Sequence, residues 1–419
     1  MLQRLNRKKM TILRKKGNIY HMHVIIDATT TQDQFAYAGV GQYTKNIILS
    51  LLKNNADIPF SILRFEGKIS TLDKDISKYK NADLVDIGEY KVNDYKNDIW
   101  YYTRVLPTIK KIRRKDSIYF CPYFWRNFPS DIMPTVLFVH DMNLPLFNMY
   151  SQQSPIHNFI RKIQYWKTLN KSKDCKYIIC NSDTTRKDFL KFYPDYPEEQ
   201  TAVTYLGIDV EEKQISLDKI LPHDYKEKKY FIYLGGGINR SKNSIGVIKG
   251  YKVFLDKLKQ DGMDIEKAPY LIIAGGKFQD TTKPEVKELY DYIEEHGIEK
   301  QVVFTGFYED KHAYSLLNNS LGFLHLALYE GFGISSAEAL RAKTPTILHK
   351  SPVYEEVFKD VSMLVDGLNE VEVGDTIYDI YKNREKYQTM IQKGYDLSLT
   401  FSWDRCAEKT FKIFEKVKV

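Results

Sequence analysis

Glu330 and Glu338, with seven residues between them, bracket a Gly331-Phe332-Gly333 turn. A carboxylate can accept two hydrogen bonds from a vicinal diol, so sugar or ribose hydroxyls are the natural partners of such a pair. The preceding run, Leu321 to Tyr329, is almost continuously apolar and of strand length, as expected of a parallel strand buried on both faces. Ser335 to Lys343 is rich in Ala, Glu, Leu and Arg, which favour helix. The stretch therefore reads as strand, tight loop and helix. Glu330 falls at the carboxyl end of the strand, where open α/β sheets bind ligands, and the glycines let loop amides approach them. The competing reading is an ordinary strand-to-helix turn with two surface glutamates.

Three further clusters end apolar runs. Ile238-Asn239-Arg240-Ser241-Lys242-Asn243 follows Tyr230 to Gly235 and precedes a helix near Ser244. Its two cations suit a diphosphate, or are simply exposed loop charges. Phe138-Val139-His140-Asp141 ends in a histidine that can hydrogen-bond a sugar hydroxyl or a developing charge, or else be tied to backbone. Ala38-Gly39-Val40-Gly41-Gln42-Tyr43-Thr44 leads into a helix over Lys45 to Leu52, with glycines that permit close ligand approach. A dinucleotide fingerprint would need a third glycine near Thr44, which is missing.

Composition narrows the partners. The chain has 419 residues, comfortable for two domains, and a net charge of +8. Residues 1–21 hold seven Lys or Arg and no acid, so subtracting them leaves +1, and a nucleic-acid reading from global charge fails. This basic leader, expected to be disordered, lacks the apolar stretch of a secretory signal, and no run is long enough for a transmembrane helix. Cys121, Cys175, Cys180 and Cys406 show no C-x2-C pairing and read as reduced cytosolic thiols. Asp73-Lys74-Asp75 resembles a metal-binding D-x-D but lies in a polar segment, as a solvated face would. No metal and no cofactor is assigned.

Strand-like runs are His23 to Asp27, Pro59 to Phe65, Asp83 to Ile87, Ser117 to Cys121, Thr135 to His140, Lys176 to Asn181 and Ala202 to Leu206. A second series comprises Tyr230 to Gly235, Tyr270 to Gly275, Gln301 to Thr305, Leu321 to Leu328, Pro345 to Leu348 and Ser362 to Val365. Alternation with amphipathic segments predicts an α/β fold of two doubly wound, Rossmann-like domains, 22–215 and 225–400. The polar stretch Glu211 to Lys229 is the linker, and residues 401–419 form a terminal helix.

Taken in order, these motifs resemble retaining nucleotide-sugar glycosyltransferases of the GT-B fold, family 4. The resemblance rests on Gly39/Gly41, His140-Asp141, Asn181-Ser182, Gly207-Ile208-Asp209, Gly235-Gly236 with Lys242-Asn243, Ala274-Gly275, Glu330 to Glu338 and Phe401-Ser402-Trp403. It implies an interdomain cleft, a donor held by the C-terminal domain, an acceptor held by the N-terminal domain and a final helix crossing back to the latter. Glu338 would bind the ribose, and Glu330 with the amides of Phe332, Gly333 and Ile334 would orient the sugar. Lys242 would contact the diphosphate, His140 would approach the sugar, and Gly41 would leave room for the diphosphate. Many relatives carry Arg immediately before the lysine or five residues earlier. Here those positions are Ser241 and Gly237, and Arg240 is offset by one.

The implied activity is metal-independent transfer of a hexose from a nucleoside diphosphate sugar, with GDP-mannose preferred over UDP-sugars. The acceptor would be a glycan or lipid-linked saccharide in cell-surface polysaccharide synthesis. A GT-B sugar-nucleotide epimerase and a non-catalytic sugar-nucleotide-binding protein are the alternatives. Aromatics from Trp100 to Trp125 interleave with Arg104, Lys110, Lys111, Arg113, Arg114 and Lys115, which suits peripheral contact with an anionic membrane from the cytoplasm, or an ordinary helix surface.

Overall fold

The structure, a computed structural model, describes residues 14–15, 18–19, 22–32, 36–89, 97–123, 127–142, 163, 165–235 and 238–418. The basic leader and Trp125 lie outside the described residues, apart from a two-residue antiparallel ladder of Arg14–Lys15 with Asn18–Ile19. The chain forms two compact units. The first comprises Met1–Asn181, Thr185–Tyr205 and Trp403–Val419, and the second Ser182–Thr184 and Leu206–Ser402.

The first unit is built on seven parallel strands: β1 (His23–Asp27), β2 (Phe60–Arg64), β3 (Ala82–Asp86), β4 (Ser117–Cys121), β5 (Thr135–Val139), β6 (Tyr177–Cys180) and β7 (Thr201–Val203). Their order across the sheet is 3-2-1-4-5-6-7. Every residue of β4, β5 and β6 is buried, which explains why these strands read as unbroken apolar runs. The edge strand β3 is largely exposed. His23 ties three strands at their amino ends, with Nδ1 2.8 Å from Ser117 Oγ and Nε2 2.9 Å from Ser61 Oγ.

The second unit repeats the plan with β8 (Tyr230–Leu234), β9 (Tyr270–Ala274), β10 (Val302–Gly306), β11 (Gly322–His325), β12 (Thr346–His349) and β13 (Met363–Val365), ordered 10-9-8-11-12-13 and parallel throughout. Both units are thus doubly wound α/β domains. The stretch Leu206 to Lys229 belongs to the second unit. Leu217, Leu221 and Tyr225 are buried within the polar stretch Glu211 to Lys229, and the Ile215 amide donates to Ser315 Oγ at 2.7 Å.

Five helices border or support the residues with chemical potential: α1 (Gly39–Asn54), α2 (Ser244–Gln260), α3 (Ile334–Arg341), α4 (Pro352–Phe358) and α5 (Trp403–Val417). Helix α1 starts six residues before Lys45, so both glycines lie in its first turn. Packing overrides their poor propensity: Tyr43 is fully buried and stacks on Phe138 at 4.1 Å.

Helix α5 belongs to the first unit. It buries Cys406, Ala407, Thr410, Ile413, Phe414 and Val417 along one face. Asp404 accepts from Lys53 at 2.8 Å and from Asn54 at 3.3 Å, at the end of α1. Phe414 meets Phe120 of β4 at 5.3 Å. Truncation of this fully buried ring (Phe414→Ala) is expected to cost about 3–5 kcal/mol, read as a lower urea midpoint. An unchanged midpoint would contradict the packing of α5.

Candidate active site

In the second sheet the strand order reverses between β8 and β11, and the crevice beyond their carboxyl ends is the topological switch point of the domain. Past β8, a single 3-10 turn over Arg240–Lys242 runs into α2. Past β11, an irregular segment leads to Gly333, the N-cap of α3. The Leu328 amide donates to the Ser241 carbonyl at 2.7 Å, tying the two loops together.

Strand β11 ends at His325, three residues short of the expected Leu328. Leu326 and Ala327 are fully buried yet lie outside the ladder, so the apolar run reports burial rather than strand. Glu330 therefore stands five residues beyond the strand, on the loop.

The Glu330 side chain is 19% exposed and forms an ion pair through Oε1 with Lys242 Nζ. His325 Nε2 lies 3.1 Å from the same oxygen. Burial pushes the carboxyl up, but the Lys242 ammonium and the His325 hydrogen bond outweigh it and hold the group at about 2. Glu330 is ionised throughout the physiological range. Among the described residues no hydrogen bond reaches its Oε2.

Gly333 has φ +94°, and a Cβ there would lie 2.8 Å from the Tyr354 ring of α4. Both backbone and space require glycine. No side chain caps α3, so the amides of its first turn, starting at Ile334, are aimed out of the helix. Phe332 is buried, its ring 6.2 Å from Phe358 and 5.2 Å from Phe401. Its side chain anchors the loop, and only its backbone can serve a ligand.

Glu338, in the second turn of α3, is partly buried, and no side-chain hydrogen bond or ion pair to it occurs among the described residues. Burial first, then the charges of Asp310 and Asp209, push its carboxyl up to about 8. The two glutamates thus differ in charge at neutral pH, because burial raises both and is outweighed by a cation at Glu330 but reinforced by nearby acids at Glu338.

The two loop cations also part company. Lys242 meets Glu330, whereas Arg240 is exposed and makes no ion pair among the described residues.

In the first unit, His140 follows β5 and is nearly buried, its ring 4.9 Å from Tyr43 and 4.8 Å from Phe138. Its Nε2 lies 2.8 Å from the Pro122 carbonyl. A carbonyl only accepts, so Nε2 carries the proton and Nδ1 is left as an acceptor. Burial lowers His140 to about 4, against the raising effect of the Pro122 bond, and keeps it neutral. It can accept from a hydroxyl but cannot donate to a developing negative charge. Asn181 Nδ2 donates to the His140 carbonyl at 2.7 Å. Gly41 lies buried in the first turn of α1, two residues before Tyr43, so the fold brings that turn beside His140.

Asp73 and Asp75 are engaged locally: Asp73 accepts the Ser70 amide at 2.8 Å and pairs with Arg64 at 3.3 Å, and Asp75 pairs with Lys78 at 2.7 Å. Among the described residues no group of three or more His, Cys, Asp or Glu is arranged to hold a metal. Neither His325 nor Asp310 belongs to a motif of the sequence, and Asp209 belongs to one, Gly207-Ile208-Asp209, that does not point to Glu338. A histidine inside an otherwise apolar run was the one available signal for the first, while the acids come from distant loops.

A doubly wound domain with an ion pair and an uncapped helix at its switch point has the build of a nucleotide-type ligand-binding domain. Residues 220–397 match the family described as "Glycosyl transferases group 1". The second unit of this chain is therefore a group 1 glycosyltransferase domain. The chain is 21% identical over 308 residues to O-antigen chain mannosyltransferase B of Escherichia coli, spanning 72% of this chain and 74% of that protein. Among solved structures, the N-terminal domain of trehalose-6-phosphate phosphatase from Candida albicans superposes with a TM-score of 0.71 at 14% identity, covering 97% of this chain and 100% of that one. Anabaena Alr3699/HepE in complex with UDP and glucose superposes at 0.66 and 15% identity, covering 94% and 100%. These likenesses define the fold as that of GT-B glycosyltransferases.

The raised Glu338 has a consequence without any ligand. The native state keeps a proton that an unfolded glutamate releases at about 4.3, so stability falls as pH rises from there to about 8. Glu338→Gln is expected to flatten the decline of melting temperature across this window. Parallel profiles for variant and wild type would show that Glu338 ionises normally.

Proposed function

We propose that the protein is a retaining, metal-independent hexosyltransferase of family 4 that uses a nucleoside diphosphate sugar, with GDP-mannose the preferred donor. The observation that carries this reading is the Lys242–Glu330 pair at the switch point of a group 1 glycosyltransferase domain. The Escherichia coli relative is named a mannosyltransferase of O-antigen chains, which supports mannose and a glycan or lipid-linked saccharide acceptor in cell-surface polysaccharide synthesis. The Anabaena structure holds UDP and glucose, which keeps UDP-sugars as the second choice.

Cleavage of the anomeric bond leaves positive character on the sugar and negative charge on the departing diphosphate. Lys242, the exposed Arg240 and the start of α2 stabilise that negative charge, a task otherwise performed by a metal. Glu338 accepts the ribose hydroxyls. Glu330, with the amides of Phe332, Gly333 and Ile334, orients the sugar. His140 accepts from a sugar hydroxyl through Nδ1, and Gly41 leaves room for the diphosphate. The acceptor hydroxyl attacks the face the diphosphate leaves, and the leaving phosphate oxygen takes its proton. An epimerase or a non-catalytic binding protein would instead give no saccharide product.

Purified protein incubated with GDP-mannose or UDP-sugars, with and without a lipid-linked saccharide fraction, is expected to release nucleoside diphosphate and form acceptor product. Glu338→Ala should weaken donor binding by about tenfold, on the order of one lost hydrogen-bonded pair. Donor affinity unchanged in Glu338→Ala would remove the ribose assignment, and release of free sugar with no acceptor product would favour the epimerase.

Membrane contact is a second element of the proposal. Among the described residues no helix is long and apolar enough to cross a bilayer. Tyr101 and Trp100 pack into the first unit's core, so they are not surface aromatics. Ile99 and Tyr102 are exposed at the start of a segment that carries Arg104, Lys110, Lys111, Arg113, Arg114 and Lys115 on its surface. Such a patch suits the anionic inner face of a cell membrane. Flotation with phosphatidylglycerol vesicles should be lost on neutralising Lys110, Lys111, Arg113, Arg114 and Lys115, and unchanged flotation would contradict it.

A further inference from the structure

We propose that His325 is a positioning residue for Glu330, a neutral imidazole that pins one carboxylate oxygen and leaves the other for the ligand. It is almost fully buried at the end of β11. Tyr233 of β8 lies nearly parallel to its ring at 5.6 Å and 7°, and Phe323 at 5.7 Å and 16°. Tyr354 of α4 meets it edge-on at 6.3 Å. The ring plane is thus set by three aromatic neighbours from three elements. In that plane Nε2 points to Glu330 Oε1 at 3.1 Å, while Nδ1 is buried with no hydrogen-bond partner.

This asymmetry selects a protonation state. An ionised carboxylate only accepts, so Nε2 must carry a proton. A second proton on Nδ1 would be a buried donor with no acceptor, which is costly, whereas a bare lone pair there costs less. His325 is therefore the Nε2–H tautomer. Lys242 Nζ reaches the same Oε1, so two donors from two different strand ends fix a single oxygen. Oε2 is left without a protein donor among the described residues, on a side chain that keeps some exposure. A carboxylate held this way has one orientation and one vacant acceptor edge, which is what recognition of a sugar hydroxyl needs. Lys242 alone would not achieve it: its flexible stem must also answer the diphosphate, and only the rigid imidazole can hold Glu330 while the lysine turns to it.

The kinetic part of this inference rests on the proposed donor chemistry, while the tautomer does not. Histidine 15N spectra of the full-length protein should show Nε2 protonated and Nδ1 bare for His325, assigned by its loss in His325→Gln. His325→Phe keeps the stacked ring and removes the donor. It is expected to lower kcat about tenfold to a hundredfold, the size of one lost hydrogen bond to a charged group, with KM for the sugar nucleotide within about twofold. His325→Gln retains an N–H at the matching position and should recover kcat to within about threefold. An Nδ1–H tautomer, wild-type turnover in His325→Phe, or equal losses in both variants would overturn the proposal. Should His325→Phe fail to fold, the wild-type tautomer and the kcat of His325→Gln decide it alone. Absence of wild-type turnover with every donor would count against the glycosyltransferase function, leaving the 15N result to decide the role of His325.

Discussion

The ion pair between Lys242 and Glu330 is the constraint around which the second unit is arranged. Taking either charge out of water alone would be costly, and Lys242 sits on a single 3-10 turn and Glu330 on an irregular loop. The pair forms only because β8 and β11 are neighbours in the sheet although far apart in sequence, so their loops emerge side by side. The Leu328 to Ser241 backbone bond then closes the loops on each other. Gly333 turns the chain into α3 through a backbone geometry that a side chain would oppose, and Phe332 is sunk into the aromatic cluster with Phe358 and Phe401 to hold that turn. The carboxylate is thus delivered by a sheet order, one backbone bond, one glycine and one buried ring.

From the same loop and helix come two carboxylates with opposed properties. Glu330 is pulled far below the ordinary carboxylate range by its cation, and Glu338 is pushed up to about 8 by burial and by Asp310 and Asp209. A glycosyl donor presents two different demands, a neutral diol at the ribose and a reacting sugar that becomes cationic. A permanently charged group suits the second demand. A carboxyl that ionises when a diol supplies hydrogen bonds suits the first, since the bonds themselves favour the charged form.

Much of this was legible in the residues. The central strands of the two parallel sheets, such as β4, β5, β8, β9 and β11, coincide with apolar runs because both of their faces are covered, whereas the exposed edge strand β3 carries Asp83 and Asp86. The pairing of Glu330 with Lys242 was foreshadowed by both falling after strands. Other features depend on tertiary contacts that no local pattern carries. The early start of α1 follows from where Tyr43 packs, not from glycine propensity. The short β11 is hidden because Leu326 and Ala327 are buried without being paired. His325 is one polar residue in an apolar run, and its meaning depends on Tyr233 and Tyr354 arriving from other elements to join Phe323 of its own strand. The opposed charge states of the glutamates could not be read at all, since Asp209 and Asp310 lie far away in sequence.

The most direct test of the account is a double-mutant cycle of Lys242→Met and Glu330→Gln, read as the affinity for a nucleoside diphosphate sugar and for the nucleoside diphosphate alone. If the pair organises the donor site, the two losses for the sugar nucleotide should be coupled by about 0.5–3 kcal/mol, as for residues in one network. Coupling should be smaller for the nucleoside diphosphate, which offers Glu330 no sugar. Losses for the sugar nucleotide that add to within about 0.3–0.5 kcal/mol, the behaviour of independent sites, would contradict the central role assigned to the pair.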